Sequence, residues 1–178
     1  MEVVKSPLEL IDFNIIKAKF SFEHPVGKKE INVIDVMSGY ELDFDYMIKT
    51  NNENSYAIFT KVIVNEGETK LPGHSIFAEG VSIFRINPSE LKSLRADDVK
   101  SLINFSAVSI AFSNIRGFIS DMTSYTPSGK YLFPVFNLKS LIENKQERML
   151  AIKTAEAKTK VKSTTKEPVK KTEKVIKN

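Results

Sequence analysis

The sequence predicts an α+β fold: a four-stranded antiparallel sheet packed against one long α-helix, with a short C-terminal helix. Three observations carry this. Apolar and polar side chains alternate through most of the first half, the period of half-buried antiparallel strands. After Asn87 the period lengthens to that of a helix. All seventeen aromatics, twelve Phe and five Tyr, precede residue 151, so the core must be complete before that point.

The first strand reads from Ile11 to Glu23. Its apolar phase is odd at Ile11, Phe13 and Ile15 and even at Ile16, Ala18, Phe20 and Phe22, a shift that implies a β-bulge at Ile15 and Ile16. A long crossing segment, His24 to Gly39, leads to the second strand, where Tyr40, Leu42, Phe44, Tyr46 and Ile48 alternate with Glu41, Asp43, Asp45, Met47 and Lys49. The third strand, Tyr56 to Asn65, has apolar residues in both phases and ends in the turn Asn65-Glu66-Gly67. The fourth, Ser75 to Ile86, contains Gly80, which marks a bulge or a close backbone approach.

Asn87-Pro88-Ser89-Glu90 combines an N-cap residue, Pro at the first helical position and an early acid, so a short helix starts there. A longer helix follows Asp97, a second capping candidate, and runs to about Ser124, where Thr126-Pro127-Ser128-Gly129 stops it. Tyr131 to Phe136 reads as extended, because Phe133 precedes Pro134. Asn137 then caps a final helix from Leu138.

On the long helix, Val108, Ala111, Phe112, Ile115, Phe118, Ile119 and Met122 form a broad apolar face for the sheet. Ser106, Ser109, Ser113, Arg116, Ser120 and Thr123 recur at spacings of three and four and make a seam of small polar residues. Small side chains admit a second helix closely, so the seam is a candidate oligomer contact, with a plain solvated face as the alternative.

Charge divides the chain as the aromatics do. The 26 Lys and Arg and 22 Asp and Glu leave +4 overall, yet residues 151–178 hold nine Lys and three Glu, a charge of +6, so the first 150 residues carry −2. The expected organisation is an N-terminal segment 1–10, a folded domain 11–144, and a Lys-rich, disordered tail 145–178 that begins as a helix extension. The tail could associate with nucleic acid through counterion release, but it has no Arg and no aromatic to fork onto phosphate or stack on a base.

Much chemistry is excluded. Without Cys there is no disulfide, thiolate metal site or cysteine nucleophile, and His24 and His74 have no clustered ligands, so no metal and no cofactor is expected. Glu41, Asp43 and Asp45 alternate with apolar residues and read as a solvated sheet face. No phosphate-binding, dinucleotide or hydrolase motif is present, so an enzyme is not expected. MEVVKSPLEL lacks a signal pattern, and the apolar stretch Leu102 to Phe112 is too short and too interrupted to span a bilayer, which makes a cytoplasmic protein without membrane insertion the expectation.

Several ordered matches resemble the SecB family of protein-export chaperones. Phe20-Ser21-Phe22-Glu23-His24-Pro25 is similar to the family's Ser-Phe-Glu-x-Pro strand ending, and Glu41-Leu42-Asp43-Phe44-Asp45 to its acidic second strand. Ile83-Phe84-Arg85-Ile86 resembles the Ile-Phe-x-Ile end of its fourth strand, and Ile115-Arg116-Gly117-Phe118-Ile119-Ser120-Asp121 the core of its long helix. Phe133-Pro134 and Phe136-Asn137-Leu138 resemble its Phe-Pro loop and capped last helix, so the likeness runs from Ile11 to Asn144 in consistent order.

The resemblance implies a dimer of dimers whose apolar grooves hold unfolded precursor proteins without ATP. Groove candidates are Tyr40, Phe44 and Tyr46, then Tyr125, then Tyr131, Phe133 and Phe136, each with core packing as the alternative. Acids on the family's outer sheet face dock the export motor SecA. Glu23 matches one such position and Glu79 lies near another, but Lys19 and Phe77 occupy places where the family has acids, the segment between Pro134 and Asn137 is shorter, and the tail is basic. A SecB-like chaperone dedicated to an antitoxin or another non-export client fits these departures, and a nucleic-acid-associated adaptor acting through the tail is the alternative from a different class.

Overall fold

The computed structural model describes residues 5–25, 27, 32–52, 54–148 and 150. The chain divides into a unit ending at Phe136 and another beginning at Asn137. In the first unit, β1 (Leu8–Glu23), β2 (Leu42–Asn52), β3 (Ser55–Val64) and β4 (Gly73–Ile86) form one antiparallel sheet in the order β1-β4-β3-β2. β2, β3 and β4 meander, and β1 lies on the far side of β4. The chain must therefore cross from one edge of the sheet to the other between β1 and β2, and α1 (Val33–Ser38) forms within that crossing, a helix the sequence pattern did not reveal.

The phase change in β1 is a bulge. Ile15 pairs with Gly80 and Lys17 with Glu79, which leaves Ile16 as the extra residue. A second extra residue, Ile11, separates Leu10 from Asp12, and the strand begins at Leu8, three residues before the alternation reads cleanly. Gly80 is the close approach that the sequence implied, since a β-carbon there would lie 3.0 Å from the Phe13 ring and 3.3 Å from the Asn14 carbonyl oxygen.

Residues paired across strands share a face. On the inner face Ile58, Val62 and Val64 of β3 and Ile76, Ala78, Phe84 and Ile86 of β4 are fully buried. Burying each of the larger side chains is worth about 1.5–3 kcal/mol, which makes this face the core.

α2 (Pro88–Leu91) begins as expected, with the Asn87 side chain accepting from the Ser89 amide at 3.1 Å and Pro88 at the start. α3 (Ala96–Ser101), a π-helical turn (Leu102–Ala107) and α4 (Val108–Thr123) then form one helix of 28 residues. Its cap is Arg95, not Asp97, which falls in the first turn. Arg95 makes no side-chain cap bond, and its guanidinium instead pairs with Asp98 at 3.0 Å. The π turn adds a residue to the stripe, so that Ile103, Ala107, Val108, Ala111 and Phe112 are all buried.

By length and composition this helix is apolar enough to cross a membrane, unlike the short stretch expected from the sequence. In the fold it is a core helix: Val108, Ala111, Phe112, Ile115 and Ile119 are buried, and α4 contacts β3 and β4. In the second unit residues 138–148 form α5, capped by Asn137, whose Oδ1 accepts from the Ser140 amide at 3.2 Å. Residues 151–178, and with them the nucleic-acid reading, lie outside the described residues.

Candidate functional site

After α4 the chain turns at Thr126 to Gly129, where Gly129 takes φ of 71°, and then crosses back over the helix as an extended strap, residues 131–136. In the strap Tyr131 and Phe133 are buried in the protein, while Leu132 and Val135 are 55% and 84% exposed. The strap is tied at its start. The Tyr131 amide donates to Thr123 Oγ1 at 2.9 Å, and His74 Nε2 lies 3.1 Å from the Gly129 carbonyl oxygen. The Arg116 guanidinium stands 5.6 Å from the centre of the Phe133 ring, within cation–π range.

These contacts revise the polar seam. Ser106, Ser109 and Ser113 are exposed, but Arg116 is half-buried and Ser120 and Thr123 are buried, with the strap tied to Thr123 and Arg116. At its Thr123 end the seam therefore packs against a segment of its own chain, while Ser106, Ser109 and Ser113 stay exposed. Among the described residues, Ser120 Oγ, Tyr131 Oη and Arg116 Nε have no hydrogen-bond partner, so the strap is held more by rings than by polar bonds.

Six of the seven expected groove aromatics, all but Tyr125, meet other rings. Phe44 stacks on Phe136 at 4.7 Å between centroids, lies 5.2 Å from Phe133 and meets Phe112 edge-on at 6.0 Å. Phe112 contacts Phe136 at 4.9 Å and Tyr46 at 6.5 Å, and Tyr40 joins Tyr131 at 5.6 Å. Burial sorts them. Tyr40, Tyr46, Tyr131 and Phe133 are buried, Phe44 and Phe136 are half-buried, and Tyr125 at the helix end is 96% exposed. Most of these rings thus form a packed bed and not an open lining, and the exposed apolar groups above it are the aliphatic Leu132 and Val135. Leu132 alternates with Tyr131 and Phe133, a signal that a search for aromatics passes over, whereas Val135 shares their phase and has no such signal.

His74, fully buried, contacts the Phe20, Phe22 and Tyr131 rings at 5.8 Å. Burial pushes its pKa below the usual 6.5, against the smaller upward pull of the Gly129 carbonyl. Burial likewise pushes the Tyr131 hydroxyl well above the usual tyrosine range, so it is neutral.

The acids expected to dock a partner sit among lysines. Glu23 pairs with Lys70 at 3.6 Å, and Lys70 also reaches Glu66 at 3.3 Å, while Lys19 lies 4.0 Å from Glu66. The Ser75 hydroxyl, donating at 2.5 Å, is the chief reason that Glu66 titrates below the usual range, with Lys70 adding to it. Glu79 lies in register with Lys17 on β1 and Lys61 on β3. Neither Glu23 nor Glu79 belongs to an unopposed acidic patch.

No protein-family model matches the sequence, and no curated protein does. Among solved structures the chain is similar to the Mycobacterium tuberculosis Rv1957 SecB-like chaperone, solved in complex with a ChAD peptide from the Rv1956 HigA1 antitoxin. The TM-score is 0.51 and the identity 9%, over 72% of this chain and 90% of that one. The fold is SecB-like. A Streptococcus agalactiae protein of unknown function is also similar, with TM-score 0.38 and 9% identity over 72% of this chain and 97% of that chain. The strap contains Phe133-Pro134, the segment that carried the sequence resemblance, and it is tied to the long helix at Thr123 and Arg116.

Proposed function

We propose that the protein is an ATP-independent holding chaperone that binds unfolded or non-native polypeptides. The observation that supports this most is the strap, which presents Leu132 and Val135 to solvent over the bed of Phe44, Phe133 and Phe136, in a fold shared with a chaperone solved with a client-derived peptide. Apolar contact of this kind has no directional requirement, so it accepts many sequences. Leu132, Val135, Phe44, Phe136 and Tyr125 make the contacts, and the buried Tyr40, Tyr46, Tyr131 and Phe133 support them.

Holding follows from mass action. A surface that binds the unfolded chain and not its folded form drains the folding equilibrium and lowers the concentration available for aggregation. Assembled as a dimer of dimers in the cytoplasm, several copies would engage one client, and modest affinities would multiply. Clients outside export, such as an antitoxin, suit this chain better than precursors handed to SecA, because lysines oppose both Glu23 and Glu79.

The test is light scattering of a chemically denatured, slow-folding protein diluted into buffer without ATP. Suppression at a near-stoichiometric ratio is the expected result. No suppression by a sample shown by circular dichroism to be folded would overturn the proposal.

A further inference from the structure

The sheet has a second face, turned away from α4 and the strap, where charges follow a rule that neither strand shows alone. Four residues in register across the sheet read Lys17, Glu79, Lys61, Asp45, so sign alternates from β1 to β2. The next row reads Lys19, Phe77, Ile63, Asp43, with opposite charges at its ends. Two rows the other way, Asp12, Ile83, Ala57, Lys49 repeats that pattern with the signs exchanged. The row between, Asn14, Val81, Phe59, Met47, is uncharged.

Each of these three charged rows is antisymmetric about the line between β4 and β3, while the row beyond them, Glu9, Arg85, Ser55, Asn52, is not and holds its two charges in one ion pair. A two-fold axis along that line brings β1 of one copy over β2 of another and β4 over β3. Lys17 then meets Asp45, Glu79 meets Lys61, Lys19 meets Asp43 and Asp12 meets Lys49, each pair formed twice by symmetry. The same operation sets Asn14 over Met47; Met47 and the neighbouring bulge residue Ile16 are 48% and 56% exposed. A hollow of about 300 Å³, lined by Ile16, Met47, Phe59 and Gly80 of one chain, lies on this face of each copy.

We propose that this outer sheet face binds a second copy of the chain, stacked face to face about a two-fold axis parallel to the strands. It is separate from the polypeptide contact proposed above, which lies on the helix side, so neither reading depends on the other.

Some of these groups already have neighbours in their own chain. Lys17 Nζ lies 5.2 Å over the Phe77 ring, Lys49 Nζ 5.1 Å over Phe59, and Lys19 Nζ 4.0 Å from Glu66. Asp45 Oδ1 accepts from the Tyr46 amide at 2.8 Å, and Asp12 from Phe13 and Asn14 at 2.8 and 2.6 Å. None of these fixes the sign pattern, which holds across four strands contributed by separate stretches of sequence. Sheets packed in an aligned way cross at about 30°, which keeps the central Glu79 and Lys61 over each other, while the outer lysines reach with their long stems.

The footprint bounds the strength. Four strands about 4.8 Å apart, over seven residues rising about 3.4 Å each, cover about 400–500 Å² per copy. That lies at the weak end of specific interfaces, so the association should depend on concentration and fall as salt screens the pairs.

Sedimentation of the full chain over a concentration series tests this. K61E sets a carboxylate opposite Glu79 of the second copy, E79K sets two amines together, and each is expected to weaken association about tenfold or more. Each variant should then sediment at about half the wild-type mass. Mixed in equal amounts, the two variants restore opposite charges across the interface but not within either chain, so the mixture should recover the wild-type mass. That recovery also shows that both variants are folded. A wild-type protein with no concentration-dependent step, single variants that keep the wild-type mass, or a mixture that does not recover it overturns the proposal.

Discussion

The Tyr40 hydroxyl occupies the space that a β-carbon would need at Gly73. Gly73 takes φ of 107°, which other residues rarely adopt, and the hydroxyl beside it accepts from the His74 amide at 2.9 Å and donates to the Pro72 carbonyl oxygen at 3.0 Å. The Tyr40 ring in turn contacts Tyr131. One contact thus sets both the entry of β4 and the position of the strap.

Gly73→Ala should therefore cost more than a change of backbone preference. Strain at positive φ contributes about 1–3 kcal/mol, and displacement of Tyr40 loses two hydrogen bonds worth about 0.5–1.5 kcal/mol each. Urea unfolding should show a loss of about 2–6 kcal/mol. With Tyr40→Phe added, the total should fall short of the sum of the two single losses, because both act on one contact. Simple additivity would sink this account.

His74 predicts how stability responds to acid. Its folded pKa lies below the usual 6.5, first because it is buried. Between the folded value and 6.5 the unfolded chain holds a proton that the folded chain does not, so stability rises with pH through that window. The contribution is complete above 6.5 and is lost as pH falls through the folded value. Its steepest slope is one proton's linkage, about 1.4 kcal/mol per pH unit. Urea midpoints for wild type and His74→Gln, measured at neutral pH and in mild acid, should converge as pH drops. Parallel pH dependences would count against it.

The strands were legible because the sheet is covered by helix on one face only, so burial wrote a period of two into the sequence. The bulge at Ile16 was legible for the same reason, since a register slip exchanges faces. Ile11 was not, because only Leu8 to Leu10 precede it in the strand, too short a run to show a phase. The π turn at Leu102–Ala107 adds a residue to an otherwise helical stripe without Gly or Pro to announce it. Asp97 has the chemistry of a cap, but Arg95 begins the helix. The aromatic cluster could be collected from sequence, yet which rings are buried depends on the strap lying over α4, a pairing between segments that periodicity within either cannot show. The charge pattern of the outer face is hidden for the same reason: it exists only once four strands are in register.

The strap makes the sharpest distinction between contact and support. Leu132 and Val135 are exposed, so replacing both with Ser should shift stability by no more than about 1 kcal/mol. If a client rests on them, the same change removes apolar area from the interface, and the double variant should need several times the wild-type concentration to suppress aggregation. Phe133 is buried and stands between Phe44 and Arg116. Phe133→Ala should cost about 3–5 kcal/mol through its cavity and lose holding only as the fold is lost. Aggregation assays run beside urea unfolding separate the two effects. A Leu132→Ser, Val135→Ser protein that is stable and holds clients as well as wild type would remove the strap from the contact surface and leave Tyr125 and the half-buried Phe44 and Phe136 to account for binding.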